Sequence, residues 1–259
     1  KESLLADKHV FVEKPLSLTV MEGEDLIQIA AERGKVLFVG HVLQYHPAIQ
    51  TIKNMLHEGK LGKLQYIYSN RLNLGKIRRE ENILWSFAPH DISVILSLVE
   101  EEPLEVTATG TNILHPKIAD TTITNMKFPS GVGAHIFVSW LHPFKEQKMV
   151  IIGDRNMVVF DDMAPVDRKL VLYPHQISWK DGIPVPKKKE GVPIDLTEIW
   201  EEPLNREGCA LIDAINGKQV LTDGLEGKKV LKVLQRAQKS MDAKGSISET
   251  TSYFIHESS

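Results

Sequence analysis

The sequence predicts an α/β unit at the N-terminus, part of a doubly wound domain, followed by an α+β domain with a large, mostly antiparallel sheet. Two observations support this fold class. Residues 1–45 contain two continuous apolar runs separated by a helical pattern, as in parallel strands that are covered on both faces. Beyond Gly62, short β-branched or aromatic segments alternate with turns, which is typical of antiparallel sheets.

The N-terminal unit is predicted to be a strand, a helix and a second strand. Residues 9–12 form the first apolar run, which we expect to be buried, and residues 36–39 form the second. Between them, Thr19 and Glu22 match a capping box, a short motif that begins helices, and Gly34 is placed to end the helix. Parallel strands joined by a helix are the repeating unit of a doubly wound sheet.

The remaining chain is predicted to fold around the antiparallel sheet. Pro47 suits the first turn of a helix that Gly59 ends. Strands are predicted at 64–74, 105–113, 121–128, 132–141, 148–153, 156–162 and 169–173. A helix between the first two of these strands is predicted to begin at Pro89. The last helix, capped by Asp223 and Glu226, is expected to pack back onto the body of the domain.

Composition and charge exclude several classes of protein. The 259 residues are 42% hydrophobic and 25% charged, close to the globular average. A net charge of -3 argues against nucleic acid as a partner, and no apolar run approaches the roughly 18 to 20 residues of a membrane span. Cys209 is the only cysteine, so no intrachain disulfide can form; we expect it to be buried and the protein to be cytoplasmic. No spacing of histidine and cysteine predicts a metal site.

The segment Glu13-Lys14-Pro15 follows the first strand directly, at the edge where open α/β sheets bind ligands. A proline after Lys14 favours an extended backbone there, so its ammonium group can enter a crevice. Desolvation would then lower the pKa of Lys14 toward a range that is useful for proton transfer. The alternative is a charged turn exposed to solvent.

A second candidate is His90, within residues 85–91, Trp-Ser-Phe-Ala-Pro-His-Asp. If Pro89 opens the helix, His90 lies in its first turn, where the helix dipole favours a neutral imidazole. A neutral imidazole can accept the proton of an alcohol that is being oxidised to a ketone. The alternative is a histidine of the core with no catalytic role.

Further polar side chains are predicted at the same sheet edge. The second strand leads to His41 and Tyr45, and parallel neighbours end on one side, so these residues should lie near Lys14. Arg71 and Asn73 share one face of the next strand and can meet a polar substrate there. A strand that is half exposed to solvent would show the same pattern.

Taken in order, these motifs resemble those of the Gfo/Idh/MocA family of oxidoreductases. The resemblance covers nearly the whole chain. It is carried by residues 8–16 with their Glu-Lys-Pro, and by 39–41, 46–48, 68–75 and 85–91. Members of the family place a catalytic lysine in Glu-Lys-Pro and a catalytic histidine near the end of the last segment.

The resemblance implies an oxidoreductase that uses NAD or NADP, with Lys14 and His90 as catalytic residues. We expect cofactor contacts at Glu13, Lys14, Pro15 and His41, and substrate contacts at Tyr45, Arg71, Asn73, Trp85, Ser86 and Asp91. One departure stands out, because Ser86 replaces the acidic residue that the family carries four positions before its histidine. His90 is the preferred base, but the sequence leaves open whether Lys14 or His90 takes the proton.

The substrate is predicted to be a sugar. Residues 68–75 and 88–91 are similar to the branch of the family that oxidises UDP-N-acetylated sugars at the third carbon. One alternative is a dehydrogenase of free polyols, of the inositol type. Another is a non-catalytic sugar-binding or assembly fragment, because the chain lacks the Gly-x-Gly-x-x-Gly turn that holds a dinucleotide.

Three regions are predicted along the chain. Residues 1–45 are the C-terminal part of a Rossmann domain, whose glycine fingerprint we expect upstream of residue 1. Residues 46–245 form the domain for substrate binding and oligomerisation, and the resemblance implies a homo-oligomer that associates through the antiparallel sheet. Residues 246–259 are predicted to be a linker, and 252–259 are similar to the start of a left-handed β-helix acetyltransferase.

Overall fold

A computed structural model describes residues 1–245 and 248–249 of the chain. The N-terminal unit contains α1 (Glu2–Leu5), β1 (Val10–Glu13), α2 (Val20–Glu32) and β2 (Leu37–Gly40). β1 and β2 pair in parallel, with Val10 opposite Leu37. Thr19 and Glu22 form both bonds of the capping box, and Gly34 follows α2 with a φ of 59°. The predicted strand, helix and strand are therefore confirmed.

The first strand differs from the prediction in its burial. β2 is buried along its whole length, whereas side chains of β1 alternate between partly buried and exposed. Phe11, for example, is 39% exposed and stacks on Phe38 of β2. The expected continuous burial of this strand was wrong, because β2 is the only strand that pairs with β1 in the described part of the chain.

The rest of the chain is built on one ten-stranded sheet. Its elements are α3 (Pro47–His57), β3 (Leu64–Leu72), α4 (Ile83–Val99), β4 (Glu105–Thr111), β5 (Thr121–Lys127), β6 (Gly133–Ser139), β7 (Glu146–Gly153), β8 (Asn156–Asp161), β9 (Leu170–Lys180), β10 (Ile183–Lys188), β11 (Val192–Ile194), α5 (Pro203–Ile215), α6 (Gly224–Asp242) and β12 (Ser248–Glu249). The strand order is β10-β9-β8-β7-β3-β6-β5-β4-β12, with β11 also on β9. Every pair is antiparallel except β3 with β6, which confirms the predicted sheet.

The last helix, α6, connects the two sheets. It packs against α2, α4, β2 and β4 through buried apolar residues that include Val230, Val233 and Leu234. Its approach to β2 is close, since a Cβ atom at Gly227 would lie 2.8 Å from Val39 Cγ2. The segment before α6 also bonds to β2, where the Val39 amide donates to the Thr222 carbonyl at 2.8 Å. The prediction that this helix packs back onto the body is confirmed.

The helix that carries His90 begins earlier than predicted. α4 starts at Ile83, with the Asn82 side chain accepting from the Trp85 amide as its N-cap. Pro89 therefore lies inside the helix, and His90 is not in the first turn. Proline in a helix interior removes one backbone hydrogen bond. Here Ile83, Leu84 and Ser86 of the first turn are buried, and this packing offsets the loss.

The predicted burial of Cys209 was also wrong. Helix α5 turns Glu207 and Ala214 toward the interior. Cys209 follows Glu207 by two positions, which at 3.6 residues per turn places it on the opposite side of the helix. Its thiol is exposed.

Within residues 1–245 and 248–249, no helix combines the length and the apolar character needed to cross a membrane. The same residues hold no group of three or more histidine, cysteine or acidic side chains suited to a metal ion. The motif at 252–259 lies outside the described residues, as does the proposed linker apart from residues 248–249.

Candidate active site

Lys14 lies at the end of β1 and is tied to α4. Its Nζ donates a 2.6 Å hydrogen bond to the carbonyl oxygen of Ser86. Burial lowers the pKa of Lys14 below its ordinary value of 10.5, and the Glu81 carboxylate partly opposes this effect. Lys14 is thus an ordered and partly desolvated ammonium group at the sheet edge, as the sequence predicted. Glu13, one residue earlier, is exposed and lies opposite Gly40 in the β1–β2 pair.

His90 projects from α4 into the same region. Its Nδ1 atom is buried and has no hydrogen-bond partner among the described residues. Burial and the positive charges of Arg71, Lys14 and His41, in that order, hold the pKa of His90 well below 6.5. This direction favours the neutral imidazole expected from the sequence, but through a different cause. Desolvation and neighbouring cations lower the pKa of His90, which does not lie at a helix N-terminus.

Arg71 and Asp91 form an ion pair between β3 and α4. Arg71 donates to both Asp91 oxygens, from Nε at 2.6 Å and from Nη2 at 3.3 Å. Asp91 is 2% exposed and also accepts the Ser69 hydroxyl at 2.6 Å. Because its oxygens are already engaged, Asp91 orients the Arg71 guanidinium from behind. Arg71 thus acts on His90 from a neighbouring strand, and Asp91 is buried more deeply than Arg71, at 2% against 12% exposed.

His41 and Tyr45, both predicted at this edge, have different surroundings. The His41 ring is 1% exposed, and its Nδ1 lies 2.5 Å from a Glu226 carboxylate oxygen. Tyr45 instead packs in a separate apolar cluster with Phe38. A 2.9 Å hydrogen bond joins its hydroxyl group to the Thr222 hydroxyl. Burial raises the pKa of Tyr45 to about 12. The structure brings His41 to His90 but places the Tyr45 hydroxyl in the protein core.

The other predicted substrate residues are Trp85 and Ser86, in the first turn of α4, and Asn73, directly after β3. Trp85 donates from its indole nitrogen to Gln238 of α6 at 3.1 Å, so its polar atom serves a helix contact. Ser86 is buried and contributes its backbone carbonyl to Lys14. Asn73 follows β3, where its amide donates to the Ser139 carbonyl at 3.0 Å. Pro15, the last of the predicted cofactor contacts, is partly buried next to Lys14.

Two acidic residues at the site were missed by sequence reasoning. Glu226 was interpreted as a helix cap, but only its amide contributes, donating to Asp223. Its carboxylate instead reaches His41, a contact between residues far apart in sequence that no local pattern reveals. Glu207 is 2% exposed, and burial together with the Glu13 carboxylate raises its pKa to about 7. Glu207 lies seven residues before Ala214, on the same inward face of α5. This helical spacing could have predicted its burial from the sequence.

The site is formed on elements that match a known family. Residues 1–41 match the sequence model of a protein family described as "Oxidoreductase family, NAD-binding Rossmann fold". A second, described as "GFO/IDH/MocA C-terminal domain", matches residues 49–159. The chain belongs to the Gfo/Idh/MocA family. The predicted fold class, family and cofactor class are consistent with this membership.

Relatives in the Gfo/Idh/MocA family include sugar and polyol enzymes. UDP-N-acetylglucosamine 3-dehydrogenase of Acidithiobacillus ferrooxidans is 28% identical over 93% of this chain and 74% of that protein. Inositol 2-dehydrogenase of Rhizobium meliloti is 22% identical over 94% of this chain and 74% of its own. A 2,7-anhydro-N-acetylneuraminate hydratase of Mediterraneibacter gnavus is 25% identical over 59% of this chain, which spans only 45% of that protein.

Solved structures of the family share the fold. The UDP-N-acetylglucosamine 3-dehydrogenase of Acidithiobacillus ferrooxidans superposes with a TM-score of 0.76 at 25% identity, over 93% of this chain and 74% of that one. An inositol dehydrogenase homologue from Azotobacter vinelandii, crystallised with NADH and myo-inositol, gives 0.76 at 18% identity, over 96% and 73%. The second likeness shows the fold alone.

The residues present fit a nicotinamide cofactor and an alcohol at this place. The ends of a parallel strand pair form the edge at which α/β sheets bind ligands, and Lys14 is held there as a partly desolvated cation. Beside it, the buried and unpartnered Nδ1 of His90, within the described part of the chain, is a polar atom that calls for a ligand. Both features suit a hydroxyl group that is to lose a proton.

Proposed function

We propose that this chain belongs to an NAD(P)-dependent dehydrogenase that oxidises a hydroxyl group of a UDP-N-acetylated sugar to a ketone. The observation that carries the proposal is the convergence of Lys14, His90 and Arg71, from three separate elements, on one place. Lys14 bonds to the Ser86 carbonyl and Arg71 bonds to Asp91, both on the helix that carries His90, which supports a single site. The family supplies the class of reaction, and the relative from Acidithiobacillus ferrooxidans supports the class of substrate.

Each residue has a distinct role in this proposal. Bound NAD(P) supplies the acceptor for the hydride that leaves the sugar carbon. Neutral His90 takes the proton of the hydroxyl, as a general base whose charged form is disfavoured before the reaction. The Lys14 ammonium donates a hydrogen bond to the same oxygen and stabilises its developing negative charge. Arg71, oriented by Asp91, binds polar groups of the sugar.

A free polyol is the second candidate substrate, and one contact favours it. A nucleotide diphosphate is usually bound by arginine side chains that are free to pair with phosphate. Arg78, in the loop after β3, is instead paired with Glu81 at 3.0 Å. Inositol dehydrogenases are also among the relatives that match over nearly the whole chain.

The deciding experiment measures NADH formation with UDP-N-acetylglucosamine and with myo-inositol. It uses this chain and, if the upstream reading frame encodes a glycine fingerprint, the chain extended through that segment. Lys14→Ala and His90→Ala should each lower kcat by at least about 100-fold. Cys209→Ser, a change at an exposed position, is the control and should leave kcat unaltered.

The outcomes separate the candidates. Turnover with the nucleotide sugar and its loss in both variants supports the proposal, whereas turnover with myo-inositol alone favours the polyol. A protein that binds sugar but neither binds nor reduces NAD in either form is a non-catalytic binding fragment. Full activity of Lys14→Ala or His90→Ala contradicts the assigned roles.

We also propose the domain division at residue 45 and self-association through the antiparallel sheet. The two family models meet near this boundary, since they cover 1–41 and 49–159.

Exposed apolar side chains on β9 and β10, among them Trp179 at 71% and Ile183 at 65%, support an interface between copies of the chain on the sheet. Light scattering of the purified chain and of Trp179→Ser tests it, and a monomeric wild type contradicts it. A cytoplasmic location remains a prediction.

A further inference from the structure

The loop between β6 and β7, residues 140–145, spans the end of the strand that carries Arg71. β3 lies between β6 and β7 in the sheet, and its last residue, Leu72, pairs with Ser139 at the end of β6 and with Glu146 at the start of β7. Neighbouring strands lie about 4.8 Å apart, so the loop crosses about 10 Å at the end of β3. It therefore lies at the same edge of the sheet as Arg71, which immediately precedes Leu72.

The loop is anchored to β3 by hydrogen bonds as well as by strand pairing. The Asn73 amide, just after β3, donates to the Ser139 carbonyl at 3.0 Å. The Leu141 amide donates to the Ser139 hydroxyl at 3.1 Å. At the other end of the loop, Glu146 accepts a 2.7 Å hydrogen bond from the side chain of Asn70 in β3. Both ends of the loop are thus fixed relative to β3.

The middle of the loop is held by a short local network. His142 Nδ1 is hydrogen-bonded to the carbonyl oxygen of Phe144. A carbonyl oxygen only accepts, so this nitrogen carries the hydrogen. Pro143, between the two residues, has a fixed φ angle. The rings of His142 and Phe144 also meet edge to face, with their centroids 6.1 Å apart. The position of Phe144 is therefore set before any ligand arrives.

Phe144 is exposed in spite of this fixed position. It is 70% exposed, whereas Trp140, at the start of the same loop, is completely buried. A rigid aromatic side chain has few torsion angles to restrict on binding, so an exposed ring provides contact area at low entropic cost. Phe144 thus offers a flat apolar surface at the edge of the sheet that holds the candidate site.

The chemistry of Phe144 distinguishes between the parts of the proposed substrate. The phosphates of a UDP-sugar need hydrogen-bond donors or positive charge, and a phenyl ring supplies neither. The uracil base is planar, and bases of every kind stack on aromatic side chains. The base is also the part of the substrate farthest from the reacting sugar, which the proposed function assigns to Arg71 and His90. An exposed ring on a neighbouring loop therefore suits the base.

We propose that Phe144 is a substrate-binding residue that stacks on the uracil base of a UDP-sugar, while Arg71 binds the sugar at the other end. The inference rests on the proposed function and names the residue that recognises the nucleotide part of the substrate. It also separates the two candidate substrates, because a free polyol has no base to stack on the ring.

The first test measures binding to this chain without a cofactor. Isothermal titration calorimetry compares UDP-N-acetylglucosamine with N-acetylglucosamine 1-phosphate, which carries the same sugar but no base. Phe144→Ala should weaken binding of the UDP-sugar by about tenfold or more, through loss of one base stack, and leave binding of the sugar phosphate unchanged. Phe144→Trp keeps an aromatic ring, so it should retain the affinity, and UDP should quench the fluorescence of the new indole.

Leu204→Ala is the matched control. Leu204 lies on α5 and is also 70% exposed, so this variant removes an equally exposed apolar side chain from a different element. It should bind both ligands as the wild type does, and circular dichroism establishes that every variant is folded. An unchanged affinity of Phe144→Ala for the UDP-sugar overturns the inference. An equal loss of affinity for both ligands also overturns it, because the ring would then contact the sugar phosphate.

The second test separates this inference from the proposed function. In the active enzyme, Phe144→Ala should raise KM for UDP-N-acetylglucosamine by about tenfold or more with kcat within about threefold, because the base does not react. Turnover of the UDP-sugar with an unchanged KM in this variant overturns the role of Phe144 and leaves the proposed function standing. A wild type that oxidises myo-inositol and does not bind the UDP-sugar overturns both.

Discussion

The Lys14 ammonium at the end of β1 and the Ser86 carbonyl in α4 are joined by a 2.6 Å hydrogen bond. This bond ties the Glu-Lys-Pro segment to the helix that carries His90, four residues further along. A backbone carbonyl at a fixed point of a helix is a rigid acceptor, so the Lys14 side chain is ordered before any ligand arrives. The two predicted catalytic residues are therefore positioned relative to each other by the fold itself.

The first prediction concerns the Lys14 side chain. Lys14→Met removes the charge and the bond to Ser86 while preserving most of the apolar stem. We expect kcat to fall by about 100-fold or more, because the developing charge on the substrate oxygen loses its donor. Steady-state kinetics of the active enzyme measures this change. Lys145→Met, at an exposed position, serves as the control and should not differ from wild type.

The second prediction concerns the protonation of His90. Its folded-state pKa lies well below 6.5, so the unfolded chain binds the proton more readily. Stability due to this group is therefore present above pH 6.5 and is lost as the pH falls toward the folded-state pKa. His90→Asn should show a smaller loss of Tm between neutral and mildly acidic pH than wild type. An equal loss in both proteins, or a wild-type His90 ring that titrates near 6.5 by magnetic resonance, would contradict the prediction.

The third prediction concerns the Arg71–Asp91 pair, whose side chains are 12% and 2% exposed. Asp91→Asn leaves a nearly buried guanidinium without its counterion, which should destabilise the protein by roughly 3 kcal/mol. Urea denaturation measures this loss. Arg71→Met combined with Asp91→Asn should cost less than the sum of the single changes, because each single variant leaves one unpaired charge. Strict additivity would show that the pair contributes no coupling.

The fourth prediction concerns Glu207, whose pKa is raised from 4.5 to about 7 by burial and by Glu13. The folded state binds its proton more tightly than the unfolded chain. Stability from this group is thus present below pH 4.5 and is lost as the pH rises through about 7. Glu207→Gln should stabilise the protein above this pH, by up to roughly 3 kcal/mol, and have little effect in acid.

Thermal unfolding at pH values on both sides of 7 tests the role of Glu207. Glu190→Gln, which removes an exposed carboxylate, is the matched control and should shift Tm little at either pH. A Glu207→Gln variant that is destabilised to the same extent at both pH values would contradict this prediction, because ionisation of Glu207 would then not lower the stability of the folded protein.

The fifth prediction concerns the contact between α6 and β2. A Cβ atom at Gly227 would lie 2.8 Å from Val39 Cγ2, so Gly227→Ala should cost about 1–3 kcal/mol through overpacking. Gly208, in α5, has nothing within 4 Å of the same added atom. Gly208→Ala should therefore stabilise the protein by roughly 0.5–1 kcal/mol. Denaturation of both variants compares them, and equal effects would contradict the proposed close packing.

Local sequence was a good guide wherever neighbours along the chain determine the structure. The capping box at Thr19 and Glu22 forms as expected, because both of its bonds lie within one turn. The interior position of Pro89 was missed, because burial of the first turn of α4 outweighed the usual preference of proline for a helix start. Propensity decides such a boundary only when packing does not.

The sequence by itself determined most helices and the strands up to the start of β9, the family, and the placement of Lys14 at a sheet edge, but not β10 or β11. These features depend on periodicity, capping and motifs that are read over a few residues. Only the tertiary structure decided which side chains surround His90, that Tyr45 packs in the core, and that Glu226 binds His41. Those contacts join residues far apart in sequence, and burial gives them their chemical effect, because desolvation and nearby charges change protonation only after the chain has folded.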